Sequence, residues 1–181
     1  RLHAAAQPDK VALTDASRQQ TYGELDRRVD QLASAFDTLG LAKGDRVAIL
    51  LRNRIEWAEL MFGMARQGLV AVPVNNRLSP AEIGHLLQHA GCSAIVAEPE
   101  LVHLLAGQLD GMPQRSRLVI GRHAVEGFAR IEDLIGHGHG GIAPAISPVI
   151  SEDDWWYLAY TSGTTGLPKG IPVNHRSRHL A

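Results

Sequence analysis

The chain has 181 residues, 45% hydrophobic and 20% charged, with a formal net charge of −1. That is ordinary globular material, long enough to bury a core, and its near-neutral balance offers no basic stripe for a nucleic-acid backbone. A single cysteine, Cys92, excludes an internal disulfide framework, and no apolar run approaches the roughly 18 residues of a membrane-spanning helix. Arg1 to Pro8 lacks the charged-then-apolar layout of a secretory leader, so a cytoplasmic location is expected.

In chain order, Val11 to Thr14 reads as a strand that turns at Asp15-Ala16-Ser17 toward Gln19-Gln20-Thr21. Thr21 with Glu24 forms a capping box, and Leu25, Val29, Leu32, Ala33, Phe36 and Leu39 recur at helical spacing until Gly40. Arg46 to Leu51 is a continuous apolar run, as expected of a strand covered on both faces. Asn53 with Glu56 is expected to open a helix that buries Trp57, Leu60, Met61 and Met64 and stops at Gly68. Leu69 to Val74 follows as a strand with Pro73 at its end.

Ser79-Pro80-Ala81-Glu82 combines a capping serine, proline at the first helical position and a glutamate at the third, and Gly91 closes that helix. His85 and His89 share one face of it, but Cys92 lies beyond the terminating glycine, so exposed histidines and a small core cysteine are a better reading than a metal site. Ala94 to Ala97 is a strand, and Leu101, Leu104, Leu105 and Leu109 mark a helix from Pro99. Arg117 to Ile120 supplies another strand and Ile131 to Ile135 one short helix. Residues 136–150, rich in glycine and proline, read as a linker between a scaffold over 1–135 and a terminal segment over 151–181. Alternating strands and helices imply an α/β fold with a mostly parallel sheet and flanking helices, whose ligand sites lie at the carboxyl ends of the strands. The pattern leaves strand order open.

The stretch richest in chemistry is Tyr160-Thr161-Ser162-Gly163-Thr164-Thr165-Gly166-Leu167-Pro168-Lys169-Gly170. Its glycines let consecutive amide N–H groups converge, and converging donors make an anion site. The hydroxyls of Thr161, Ser162, Thr164 and Thr165 add neutral donors, and Lys169 adds a point charge suited to a terminal phosphate. The apolar run Trp155 to Tyr160 feeds into it as a strand expected to be buried. A plain Ser/Thr/Gly surface turn is the bland alternative, and the loop of P-loop kinases and ATPases the sharper one. The latter needs lysine directly after glycine and before Ser/Thr, whereas Lys169 lies between Pro168 and Gly170.

Thr161 to Gly170 resembles the phosphate-loop signature of the adenylate-forming superfamily, which includes acyl-CoA synthetases, peptide-synthetase adenylation domains and luciferases. Thr21-Tyr22-Gly23-Glu24-Leu25 is similar to that family's first motif, and Gly68-Leu69-Val70-Ala71-Val72-Pro73-Val74-Asn75 to its second, in the acyl-CoA synthetase style. The resemblance implies part of the N-terminal domain of an adenylate-forming enzyme, with ATP, Mg²⁺ carried by the ATP, coenzyme A and a carboxylic acid as ligands. It implies phosphate contacts from Thr161, Ser162, Gly163, Thr164, Thr165, Gly166 and Lys169. No residue of the chain matches the family's catalytic lysine or its acidic ribose-binding residue, which lie far downstream in relatives, so no catalytic residue is assigned.

The function so implied is the N-terminal part of an ATP-dependent acid–CoA ligase, with fatty acids among the candidate acids. A non-catalytic nucleotide-binding remnant, a peptide-synthetase adenylation domain and a phosphotransferase remain as alternatives. Arg178-His179 reads as too polar for the helix that relatives begin here.

Overall fold

Turn and capping chemistry sets most element boundaries in the computed structural model, which describes residues 1–137, 148–161 and 169–179. A short helix α1 (Leu2–Ala6) precedes the antiparallel pair β1 (Val11–Thr14) and β2 (Gln19–Thr21). The turn between these strands is organised by Asp15, whose Oδ1 accepts from Ser17 N, Ser17 Oγ and Arg18 N at 2.8, 2.7 and 3.0 Å. Helix α2 (Tyr22–Thr38) starts with the expected box: Glu24 N donates to Thr21 Oγ1, and Thr21 N to Glu24 Oε2.

Next come β3 (Arg46–Leu50), α3 (Ile55–Gln67), β4 (Val70–Pro73), α4 (Pro80–Ala90) and β5 (Ala94–Ala97). Left-handed Gly68 and Gly91, at φ 72° and 60°, end α3 and α4 where the sequence placed their stops. Ser79 and Glu82 close a second capping box on α4. The start of α3 differs from expectation. Arg54 is its N-cap residue, without a side-chain cap, and Ile55 N donates instead to Asp15 Oδ2 at 3.1 Å. A carboxylate forty positions upstream thus does the work expected of Asn53.

The segment from Pro99 also departs from the expected helix. It is a 3₁₀ helix, Pro99–Leu105, because Ala106 leaves helical geometry (ψ 122°) and Gly107 is left-handed (φ 71°) before further turns can form. Leu101, Leu105 and, beyond the helix, Leu109 are nevertheless buried. After β6 (Arg117–Val119) comes a two-residue strand, β7 (Ala129–Arg130), that the sequence pattern did not signal, and then α5 (Ile131–His137). The chain ends with β8 (Trp155–Thr161), β9 (Lys169–Asn174) and α6 (Arg176–His179). Helix α6 follows an acceptor that sequence polarity hid, Asn174 Oδ1, which takes bonds from Ser177 N at 3.0 Å and Ser177 Oγ at 2.6 Å.

Among the described residues one sheet runs β7-β6-β5-β3-β4-β8-β9. Every neighbouring pair is parallel except β8 with β9. Alternation along β3 sends Val47 and Ile49 to a core shared with Leu32, Phe36, Leu60 and Met64, and Ala48 and Leu50 to one shared with Ile83, Leu86 and Leu105. Helices α2, α3 and α5 therefore cover one face, and α4 with the 3₁₀ helix the other. The mostly parallel α/β architecture is the one expected.

Between α2, α3 and the β1–β2 hairpin lies an ionic cluster around Glu59, 1% exposed, which accepts from Gln20 Nε2 at 2.7 Å, Arg18 at 3.0 Å and Arg28 at 3.1 Å. Arg28 continues to Glu132 on α5 at 2.9 Å.

Candidate phosphate-binding site

Because β8 runs parallel to β4, its carboxyl end lies at the same edge of the sheet as those of β3, β4 and β5. There the chain leaves at Thr161 and returns at Lys169, and these two residues face each other as cross-strand partners. Both are exposed. The two residues at the ends of the candidate loop are thus cross-strand neighbours at the carboxyl end of a parallel strand, where ligand sites of such sheets lie. Ser162, Gly163, Thr164, Thr165 and Gly166 lie outside the described residues.

The strand leading into the loop is less buried than its apolar sequence suggested. Leu158 is 7% exposed, but Trp155 is 47% exposed, and β9 carries Ile171 at 48%. The physical reason is position: β8 and β9 stand beyond β4 at one side of the sheet, where only Leu158 enters a core cluster as a buried residue.

Just before the loop, Tyr160 lies opposite Gly170. A Cβ on Gly170 would come within 3.3 Å of Tyr160 Cζ, its hydroxyl and Leu158 Cδ1, so glycine spares the tip of the ring a tight contact where it lies against β9. The Tyr160 hydroxyl is 2.8 Å from His89 Nδ1, and the two rings meet edge to face at 5.7 Å. Burial raises the Tyr160 phenol above its ordinary range, opposed by Arg46, so it stays neutral and can donate or accept.

Next to this hairpin a cleft of about 540 Å³ opens at the carboxyl ends of β3, β4 and β8, lined by Arg52, Asn53, Trp57, Asn75, Arg77 and Tyr160 among others. Asn75, the last residue of the second motif, holds the turn after β4 by accepting from Arg77 N at 3.0 Å. Arg52 and Arg54 both approach Glu98, at 3.9 and 3.5 Å, and Glu98 also accepts from Arg52 N at 3.0 Å.

Residues 1–180 match the family described as AMP-binding enzyme. The chain belongs to the AMP-binding enzyme family. Among curated relatives, this AMP-binding chain is 35% identical over 176 residues to the fatty acid–[acyl-carrier-protein] ligase ScoC of Streptomyces coeruleorubidus, covering 97% of this chain and 32% of that one. It is 34% identical over 177 residues to the 3-hydroxybenzoate–CoA/4-hydroxybenzoate–CoA ligase of Thauera aromatica, covering 96% and 33%. A crystal structure of the anthranilate CoA ligase AuaEII in complex with anthranoyl-AMP superposes with a TM-score of 0.87 at 28% identity, covering 99% of this chain and 34% of that one. The chain therefore spans about a third of the length of each of these relatives, at their N-terminal part.

Two further observations bear on the site. Among the described residues no three His, Cys, Asp or Glu side chains converge as a metal site, and no helix is long and apolar enough to cross a membrane. His85 and His89 meet ring to ring, at 5.9 Å, and Cys92 is half-buried, its desolvation pushing the thiol up to about 12. His89 is exposed, as the sequence implies. Its bond to Tyr160 spans 71 positions, and no local pattern signals it.

Proposed function

We propose that this AMP-binding chain supplies the phosphate-holding N-terminal part of an ATP-dependent carboxylic acid–CoA ligase. In this reading Thr161, Ser162, Gly163, Thr164, Thr165, Gly166 and Lys169 hold the β- and γ-phosphates of ATP, with Mg²⁺ arriving on the nucleotide. A carboxylate oxygen of the acid attacks the α-phosphorus, and the bond from that phosphorus to the oxygen bridging the β-phosphate breaks. The products are an acyl-adenylate and pyrophosphate. A thiol sulfur, from coenzyme A, then attacks the acyl carbon and AMP leaves. The loop's task is to stabilise charge on the departing pyrophosphate with donors already in place. Residues 1–135 act as scaffold, 136–150 as linker and 151–181 as the loop-bearing segment, and the setting is cytoplasmic.

The observation that carries this reading is the pairing of Thr161 with Lys169 at the carboxyl end of β8. An ammonium and a hydroxyl at the mouth of a Gly/Ser/Thr loop fit a polyphosphate, and the relatives named above as CoA ligases fit the reaction. Acid-dependent exchange of labelled pyrophosphate into ATP by the natural gene product is the direct test. At the level of this chain, Lys169→Ala should weaken MgATP binding by about 10- to 100-fold, the range of a charge-assisted hydrogen bond, while leaving thermal unfolding unchanged. Equal MgATP affinity in the two proteins would discard the assignment.

The name of ScoC supports a second reading of the acceptor, in which the thiol belongs to an acyl carrier protein. Thioester formation with coenzyme A, compared with formation on a phosphopantetheinylated carrier protein, separates the two.

A further inference from the structure

The β8–β9 hairpin is fastened to the rest of the molecule at both ends, by different means. At the end remote from the loop, Lys43 Nζ pairs with Asp154 at 2.6 Å and donates to Val149 O at 2.8 Å. Near the middle, β8 is registered on β4 where Ala71 faces Tyr157. At the loop end, the described polar contact from the hairpin to the scaffold is Tyr160 to His89.

We propose that His89, an exposed residue, is a positioning residue for the Thr161–Lys169 pair that flanks the candidate phosphate loop, acting through Tyr160. The inference rests on the phosphate-loop reading given above. His89 is carried by α4, a rigid support with a capping box at its start, Ile83, Leu86, Leu87 and Ala90 buried along its inner face, and a left-handed glycine at its end. Its imidazole holds the Tyr160 hydroxyl, and the Tyr160 ring lies across Gly170. Tyr160 is bonded in sequence to Thr161, and Gly170 to Lys169. One side chain on a fixed helix therefore bears on both strands directly beside the Thr161–Lys169 pair. At Gly170 a Cβ would stand 3.3 Å from the tip of that ring and from Leu158, a tight contact that glycine avoids.

A plainer role for His89 is electrostatic, since a basic group in the last turn of a helix favours the helix dipole. Substitution separates the two. Asn places an amide near the position of Nδ1 and can bond Tyr160 but brings no charge, whereas Ala and Phe remove one partner each.

The test uses the 181-residue chain with His89→Ala, His89→Asn, Tyr160→Phe and the His89→Ala/Tyr160→Phe double variant. Amide hydrogen exchange at Leu158–Thr161 and Lys169–Ile171, measured without nucleotide, should accelerate in both Ala and Phe variants. The factor should be about 2- to 10-fold, as for one ordinary hydrogen bond. The double variant should be no faster than either single one, and Asn should restore the wild-type rate. The MgATP dissociation constant should rise by a similar factor in the same variants. Unchanged exchange in His89→Ala, additive effects in the double variant, or failure of Asn to rescue would each overturn the proposal. Lys169→Ala serves as the separate arm for the phosphate reading. Exchange that follows His89 without MgATP binding keeps the clamp and discards the phosphate role; MgATP binding through Lys169 with exchange indifferent to His89 does the opposite.

Discussion

The strands of the scaffold and the hairpin that carries the candidate loop belong to one sheet, yet they are held in unlike ways. In β5 every residue from Ala94 to Ala97 is buried, and β3 is laddered on both sides, against β4 from Arg46 to Ile49 and against β5 from Val47 to Leu50. In β8 Leu158 alone is buried, with Trp156, Tyr157 and Tyr160 half-buried against the two cores, and among the described residues β9 pairs only with β8. Apolar burial holds the first region, while the second is held by cross-strand pairing and a few polar anchors such as Lys43–Asp154 and His89–Tyr160. The difference teaches where to look for each property. Global stability resides in the central strands and their helices, and ligand-binding segments are commonly drawn from the less deeply packed parts of a protein.

That contrast can be sharpened by making comparable cuts in both regions. The largest expected effect is on the scaffold side, where Leu50→Ala should cost about 3 kcal/mol in urea unfolding, because Leu50 is fully buried between β3 and α4. A value near zero would mean that the core attributed to β3 is not what holds the fold.

An intermediate effect is expected at Asp15. Hydrogen bonds from the Ser17 side chain, the Ser17 amide and the Ile55 amide hold its carboxyl well below the usual range. A carboxylate whose folded value is depressed stabilises the fold above the unfolded value of about 4 and loses that contribution as the pH falls further. Asp15→Asn should therefore lower the urea midpoint at pH 7, and its gap from wild type should narrow progressively below about pH 4. A gap independent of pH would remove the charge from the explanation. The smallest effect belongs to the hairpin, where Ile171→Ala should change stability by less than about 0.5 kcal/mol. A loss matching that of Leu50→Ala would erase the distinction between the regions.

The sequence was most legible where the chemistry is local. Thr21 with Glu24, Ser79 with Glu82, and the glycines at 68 and 91 act within a few residues, so each boundary could be read from its own neighbours. It was opaque where the partner is distant. Asp15 supplies the acceptor at the start of α3, and Asn53 carried no sign of being replaced. Glu59 left a faint mark: it falls four residues after buried Ile55 on the inward stripe of α3, where a charge needs partners, but Arg18, Gln20 and Arg28 come from other elements. At the candidate site the residue types were evident from the motif, but the returning strand β9, and with it the Thr161–Lys169 pairing, had no sign in the sequence pattern. The overestimate of burial in β8 came from reading composition without knowing that the strand lies toward one side of the sheet.

Cys92 has a practical consequence. It sits at the joint between α4 and β5, one residue past the glycine that ends the helix carrying His89, and burial keeps its thiol protonated at neutral pH. Only the thiolate attacks disulfide reagents and alkylating agents, so this half-buried thiol should react more slowly in the folded protein than in the unfolded chain. With one thiol in the chain, labelling at Cys92 reports on a single place, the joint where the helix that supports the hairpin meets β5.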